Sequence, residues 1–159
     1  MLVTLYVNDR REVGEVKNEE CLADSLRNHG YTSVKTGCFE GACGACTVFV
    51  EDKPVLSCEI LTVRMENKHV TTIEGVNAEA RKVAECMLNH GAEACGYCSP
   101  GFIMQVIAMK RELKDPTYDE MKKYLNGNLC RCSGYEGQLR GIRNFLDSRK
   151  ACADEKNSN

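Results

Sequence analysis

Eleven cysteines in a chain of 159 residues, at positions 21, 38, 43, 46, 58, 86, 95, 98, 130, 132 and 152, constrain this sequence more than any other feature. An odd number cannot pair completely. Met1 to Arg11 carries charges at 9, 10 and 11 and no apolar segment long enough for a secretory signal. The expectation is a cytoplasmic protein whose thiols stay reduced, which argues against a disulfide scaffold. Dense cysteine in that setting points to metal or redox chemistry. Other partners are excluded by composition: 21 Lys and Arg against 23 Asp and Glu give a net charge of −2, with no basic field for nucleic acid or an anionic membrane. No apolar run approaches the ~20 residues of a membrane helix.

The sequence divides near residue 75. Leu2 to Val7 is an apolar, β-prone run ending at the turn signal Asn8-Asp9, and residues 12–16 are expected to close a hairpin. Cys21 to Asn28 has the spacing of a short helix stopped by Gly30. A loop with Gly37, Gly41 and Gly44 leads into a strand at Thr47 to Val50. Residues 51–54 turn the chain into Val55-Leu56, and a last strand is expected at Val70 to Ile73. The pattern predicts an α+β domain. Beyond residue 75 the period becomes helical. Helices are expected over 78–89, from Ser99 as N-cap towards Leu113, from Asp115–Thr117 through Leu125, and over 139–149. Four helices with short connections predict a small bundle. Residues 151–159 are polar and expected to form a flexible tail.

Cys38-x4-Cys43-x2-Cys46 with Cys58 beyond the next strands has the plant-type [2Fe–2S] spacing. Three thiolates from one tight loop must converge, so the backbone has to curl around them. Gly41 and Gly44 permit positive φ and turn backbone N–H groups towards the sulfurs, which makes them candidate cluster-loop residues. Four cysteines also suit structural zinc, but zinc ligands commonly come as two CxxC-like knuckles, which this loop is not.

Cys95-x2-Cys98 and Cys130-x-Cys132 form two further pairs, separated by residues 99–129. Both are expected at helix boundaries, where free N–H groups and the dipole favour thiolates. Spacing alone leaves zinc and iron both open for this group. A C-x-C pair is less usual in a zinc knuckle, and a neighbouring ferredoxin-type site tilts the choice towards iron.

Together the two groups resemble the iron–sulfur subunit or domain of the molybdenum hydroxylases, the xanthine dehydrogenase and aldehyde oxidoreductase family. The resemblance is carried by the loop Lys35 to Val48 (KTGCFEGACGACTV), by Ser57-Cys58 and Thr72 to Gly75, and by Cys95 to Gly101 (CGYCSPG) and Gly127 to Tyr135 (GNLCRCSGY), in that order over roughly residues 1–148. It implies an N-terminal β-grasp [2Fe–2S] ferredoxin-like domain over 1–75, then a C-terminal four-helix bundle [2Fe–2S] domain over 76–150. The first cluster falls to Cys38, Cys43, Cys46 and Cys58, the second to Cys95, Cys98, Cys130 and Cys132. It further implies a molybdopterin-binding large subunit that feeds electrons to the second cluster, and an FAD-binding medium subunit that takes them from the first. Ala94 stands where the family commonly has a glutamine that contacts the pterin. Glu136-Gly137-Gln138 replaces a stretch usually ending in an apolar residue, and Ser99 and Ser133 stand for the commoner threonine.

The remaining residues have plainer readings. Cys21, Cys86 and Cys152 are expected to be bystanders. His29, His69 and His90 lack Rieske spacing, and Met104, Met109 and Met121 are expected in the core. Arg140, Arg143, Arg149 and Lys150 are expected on a solvated helix face, or else to dock an acidic partner. No phosphate-binding loop, dinucleotide fingerprint or nucleophile–base motif is present, so no catalytic residue is expected. The expected role is electron transfer within a larger oxidoreductase; a free-standing two-cluster carrier and a zinc-stapled interaction module are the rivals.

Overall fold

The computed structural model describes the backbone of residues 1–156 and the side chains of residues 1–147. Cys152, Arg149 and Lys150, and the side chains of the expected tail, lie outside the described residues. Five strands, β1 (Leu2–Val7), β2 (Arg10–Glu15), β3 (Thr47–Val50), β4 (Lys53–Leu56) and β5 (His69–Thr71), form one mixed sheet in the order β2-β1-β5-β3-β4. Only β1 and β5 run parallel. Helix α1 (Leu22–Asn28) lies between β2 and β3 in the chain. Four helices follow: α2 (Asn77–Leu88), α3 (Ser99–Glu112), α4 (Tyr118–Tyr124) and α5 (Glu136–Lys156).

Both hairpins turn on two residues with positive φ, Asn8-Asp9 and Glu51-Asp52. That geometry matches the right-handed twist of the strands it joins. The second turn is tighter than the sequence suggests, so Lys53 and Pro54 lie in β4 rather than in the turn. Pro54 sits on an edge strand, where its missing N–H costs little. Alternation along β1 turns Val3, Leu5 and Val7 inward against Leu22 and Leu26 of α1. Three short 3₁₀ helices, at Ser57–Glu59, Thr62–Met65 and Ile73–Val76, were not legible as periodic segments.

Helices α2 to α5 close over a second core containing Met87, Phe102, Ile107, Met121 and Ile142. Burying each such side chain contributes about 1.5–3 kcal/mol. Phe49 of β3 belongs to this helical core, so the sheet and the helices share a wall. Arg111 of α3 lies over the Phe49 ring at 4.7 Å. Of the two openings expected for helix α4, Thr117 is the one found, in a capping box with Glu120. Helix α3 does not start as expected: Cys98 is its N-cap, and the Ser99 hydroxyl donates to the Glu93 carboxylate at 2.9 Å. Helix α5 starts three residues before the expected Leu139 and continues to Lys156. Among the described residues no helix is long and apolar enough to cross a membrane.

Gly141 marks a close approach of α5 to α2, since a Cβ there would lie 2.8 Å from Met87 Cα. Gly141→Ala is expected to destabilise the protein by about 1–3 kcal/mol through overpacking, read as a lower urea midpoint with an unchanged slope.

Candidate metal centres

The irregular segment between α1 and β3 curls because Phe39, Gly41 and Gly44 all take positive φ, at 59°, 68° and 71°. The curl aims three backbone N–H groups, from Glu40, Ala42 and Cys43, at Cys38 Sγ over 3.3–3.5 Å. Donation from Glu40 above all lowers the Cys38 thiol to about 7. Cys46 is buried at the mouth of β3, and the β3–β4 register carries the chain back past it. Ser57 clamps the return, its hydroxyl donating to the Cys46 carbonyl at 2.7 Å. Cys58 thereby comes to hydrogen-bond the Cys46 thiol, and burial pushes Cys58 up to about 12. Burial likewise raises Cys43, whose thiol pairs with that of Cys38.

The two glycines are required by space as well as by φ. A Cβ on Gly41 would meet the Glu59 carboxylate at 2.1 Å, and one on Gly44 would meet Asn128 Nδ2 at 2.4 Å.

The second group gathers two loops. Cys95 and Cys98 lie just before and at the start of α3, while Cys130 and Cys132 lie between α4 and α5. Cys95 and Cys132 are exposed, with their sulfurs 3.7 Å apart. That hydrogen bond raises Cys132. Cys98 and Cys130 form the inner pair; burial pushes Cys98 up to about 12, and its bond to Cys130 adds to the rise. In Cys130 burial is outweighed by hydrogen bonds from the Ser133 side chain and from the N–H groups of Cys132 and Ser133, so its thiol is lowered. These donors belong to the loop and not, as the sequence reading had it, to a helix N-terminus, because α5 begins only at Glu136. Tyr135, itself at a positive φ of 69°, accepts from the Cys130 N–H at 2.9 Å.

Each group therefore presents four sulfurs as two hydrogen-bonded pairs. Among the described residues no three of His, Cys, Asp and Glu gather round one point closely enough for a single ion. Two pairs with N–H donors on their sulfurs fit a two-iron, four-cysteine unit. The two sites also touch. The Leu129 N–H donates to the Cys43 carbonyl at 2.8 Å, and Asn128 Nδ2 to the Gly44 carbonyl at 3.3 Å. Gly101, in the first turn of α3, packs so closely that a Cβ would lie 2.3 Å from Gly44 O. Sequence reasoning missed Glu59, and it placed Asn128 in the GNLCRCSGY motif without giving it a role, because its contact with Gly44 spans 84 residues and has no local pattern.

The other candidates lie elsewhere. Cys21 caps α1 and bonds Asp24 at 3.2 Å, and Cys86 bonds Asn144. His29 and His90 bond main-chain carbonyls, and His69 stacks on Tyr6. Arg143 is engaged by Asp115 and Asp147 and Arg140 by Glu136, so these two bases are tied into the protein's own surface.

Comparison with known proteins follows the same division. Residues 5–71 match the 2Fe-2S iron-sulfur cluster binding domain family, and residues 72–143 match the [2Fe-2S] binding domain family. The chain is 40% identical over 138 residues to the small FeS subunit of nicotinate dehydrogenase from Eubacterium barkeri, covering 84% of this chain and 88% of that one. Quinoline 2-oxidoreductase from Pseudomonas putida superposes with a TM-score of 0.86 at 31% identity, over 95% of this chain and 96% of that one. Aldehyde oxidoreductase from Desulfovibrio desulfuricans superposes with a TM-score of 0.85 at 34% identity, over 94% of this chain but only 17% of its own.

Thiol reactivity tests the loop geometry. In the metal-free chain, iodoacetamide labelling of Cys38 is expected to rise through a midpoint near pH 7, because the thiolate reacts and its pKa is lowered. Cys58 and Cys98, at about 12, are expected to remain slow up to pH 9 or so. Peptide mass spectrometry after brief labelling gives the order.

Proposed function

The chain belongs to the family of iron–sulfur subunits and domains of the molybdenum hydroxylases, and we propose that it is the electron-transferring subunit of such a complex. The observation that carries this reading is the pair of four-sulfur sites joined by the hydrogen bond from Leu129 to Cys43. Cys38, Cys43, Cys46 and Cys58 hold one [2Fe–2S] cluster, cradled by Gly41 and Gly44. Cys95, Cys98, Cys130 and Cys132 hold the other. When bound, each cluster stores a single electron, so that a two-electron substrate oxidation at a molybdopterin partner leaves in single steps towards FAD or another acceptor.

The protein's own residues make this possible. The N–H groups on Cys38 and Cys130 stabilise negative charge on sulfur, which favours thiolate ligands and tunes the potential of whatever they hold. The exposed Cys95–Cys132 side offers a short approach to a partner surface, flanked by the exposed Tyr97 and Leu129. The FAD-binding subunit belongs on the first-group side, with Phe39 exposed there. We divide the chain into a β-grasp domain over 1–75 and a four-helix bundle over 76–150, whose last helix runs on into the expected tail as far as Lys156. Two cores and two abutting family matches support that division. Reduced thiols suit a cytoplasmic setting, where clusters can be loaded.

Chemical analysis of the native protein is expected to give about four iron and about four acid-labile sulfide per chain, with larger chains co-purifying. Stoichiometric zinc contradicts this reading, and a stable lone chain that reduces unrelated acceptors supports a free carrier instead. Glu59 adds a charge test. Its carboxylate lies against Gly41 of the first loop, and a nearby negative charge disfavours reduction. Glu59→Gln is expected to raise the midpoint potential of the first centre and leave the second unchanged in a redox titration.

A further inference from the structure

We infer that Asn128 is a positioning residue for the passage of electrons between the two centres, holding the Cys43–Cys46 loop at a fixed gap from the segment that carries Cys130. This rests on the assignment of two [2Fe–2S] sites made above. Asn128 is only 6% exposed, although its side chain is polar and it lies in a loop. A buried carboxamide needs partners, and its Nδ2 finds one in the Gly44 carbonyl at 3.3 Å, 84 residues away in sequence. That carbonyl follows Cys43 directly, and the peptide after Asn128 donates to the Cys43 carbonyl. The Asn128 side chain and the Leu129 N–H thus tie down two successive peptides of the first loop, directly before Cys130 of the second.

The surroundings admit no slack. Gly44 has φ of 71°, and a Cβ on it would meet Asn128 Nδ2 at 2.4 Å and the Gly127 carbonyl at 2.5 Å. Gly101 brings α3 onto the Gly44 carbonyl as well and onto the carbonyl that follows it, where a Cβ would lie 2.3 Å from Gly44 O and 2.7 Å from Ala45 O. Three backbone segments therefore meet without an intervening side chain, apart from the Asn128 amide that pins them. An ordinary structural tie would need no such absence of side chains. In the step it serves, one electron leaves the second-group centre and enters the first-group centre, with no bond or proton changing place. The electron comes from substrate oxidised in the molybdenum partner, or from dithionite in a test.

Two variants widen the contact from opposite sides: Asn128→Ser, which withdraws the donor, and Gly44→Ala, which inserts a methyl group. In the cluster-loaded full complex, reduced with dithionite, the low-temperature magnetic splitting between the two centres reads their separation. Photoreduction followed in time reads transfer between them. The expected result for Asn128→Ser is unchanged iron, sulfide and midpoint potentials, a narrower splitting and transfer slowed several-fold, with Gly44→Ala changing the splitting in the same sense. Unchanged splitting and rate in Asn128→Ser overturns the inference. Loss of either centre also overturns it, since Asn128 is then needed to shape a ligand loop. If the unaltered complex itself lacks two centres, the assignment beneath the inference fails, and that outcome is read separately from its iron and sulfide content.

Discussion

Thiolates drawn together repel one another, and the two cysteine loops are built against that repulsion. In the first loop a left-handed curl at Phe39, Gly41 and Gly44 turns the N–H groups of Glu40, Ala42 and Cys43 onto a single sulfur. In the second the short Cys130-x-Cys132 spacing does the same with Cys132 and Ser133. Hydrogen bonds to a charged acceptor are the strong kind, and here they come from groups the fold must satisfy in any case. The opposing force falls on the partners: Cys58 and Cys98 are partly buried, and that burial pushes both thiols up to about 12. Each site therefore combines sulfurs ready to ligate with sulfurs that ionise only when a cation repays their desolvation.

The second consequence is that the two halves cannot be placed independently. A domain carrying one centre needs only the sheet and α1. Here the Leu129–Cys43 and Asn128–Gly44 bonds, the glycine contact at Gly101 and the shared Phe49 wall lock the helices onto the ligand loop itself. Rigid contact at this point suits a relay, whose rate depends on a fixed gap, better than it suits a module meant to move.

How much of this was legible in the sequence depends on the range of the interaction. The hairpin at Asn8-Asp9, the stop at Gly30, the helix start around Asp115–Thr117 and the curl at Gly41 and Gly44 are local effects, so a few neighbouring residues suffice to predict them. The contact of Cys58 with the Cys46 thiol was not legible, because it depends on hairpin register. Ser99 shows a local rule losing: the hydroxyl expected to accept a backbone N–H as N-cap instead donates to the Glu93 carboxylate. Lys53 and Pro54 moved into a strand because the type of turn, rather than proline's preference, set the hairpin. Asn128 lay within a legible motif but its role did not show there, and Glu59 carried no readable signal, since both roles arise only when separate segments meet.

The central claim is that one short chain holds two separate two-iron centres, and electron paramagnetic resonance of the native protein during stepwise reduction tests it most directly. Two distinguishable signals are expected, each integrating to about one spin per chain at full reduction. Cys43→Ser should abolish or alter one and Cys132→Ser the other. A single signal, or none in a fully loaded protein, contradicts it.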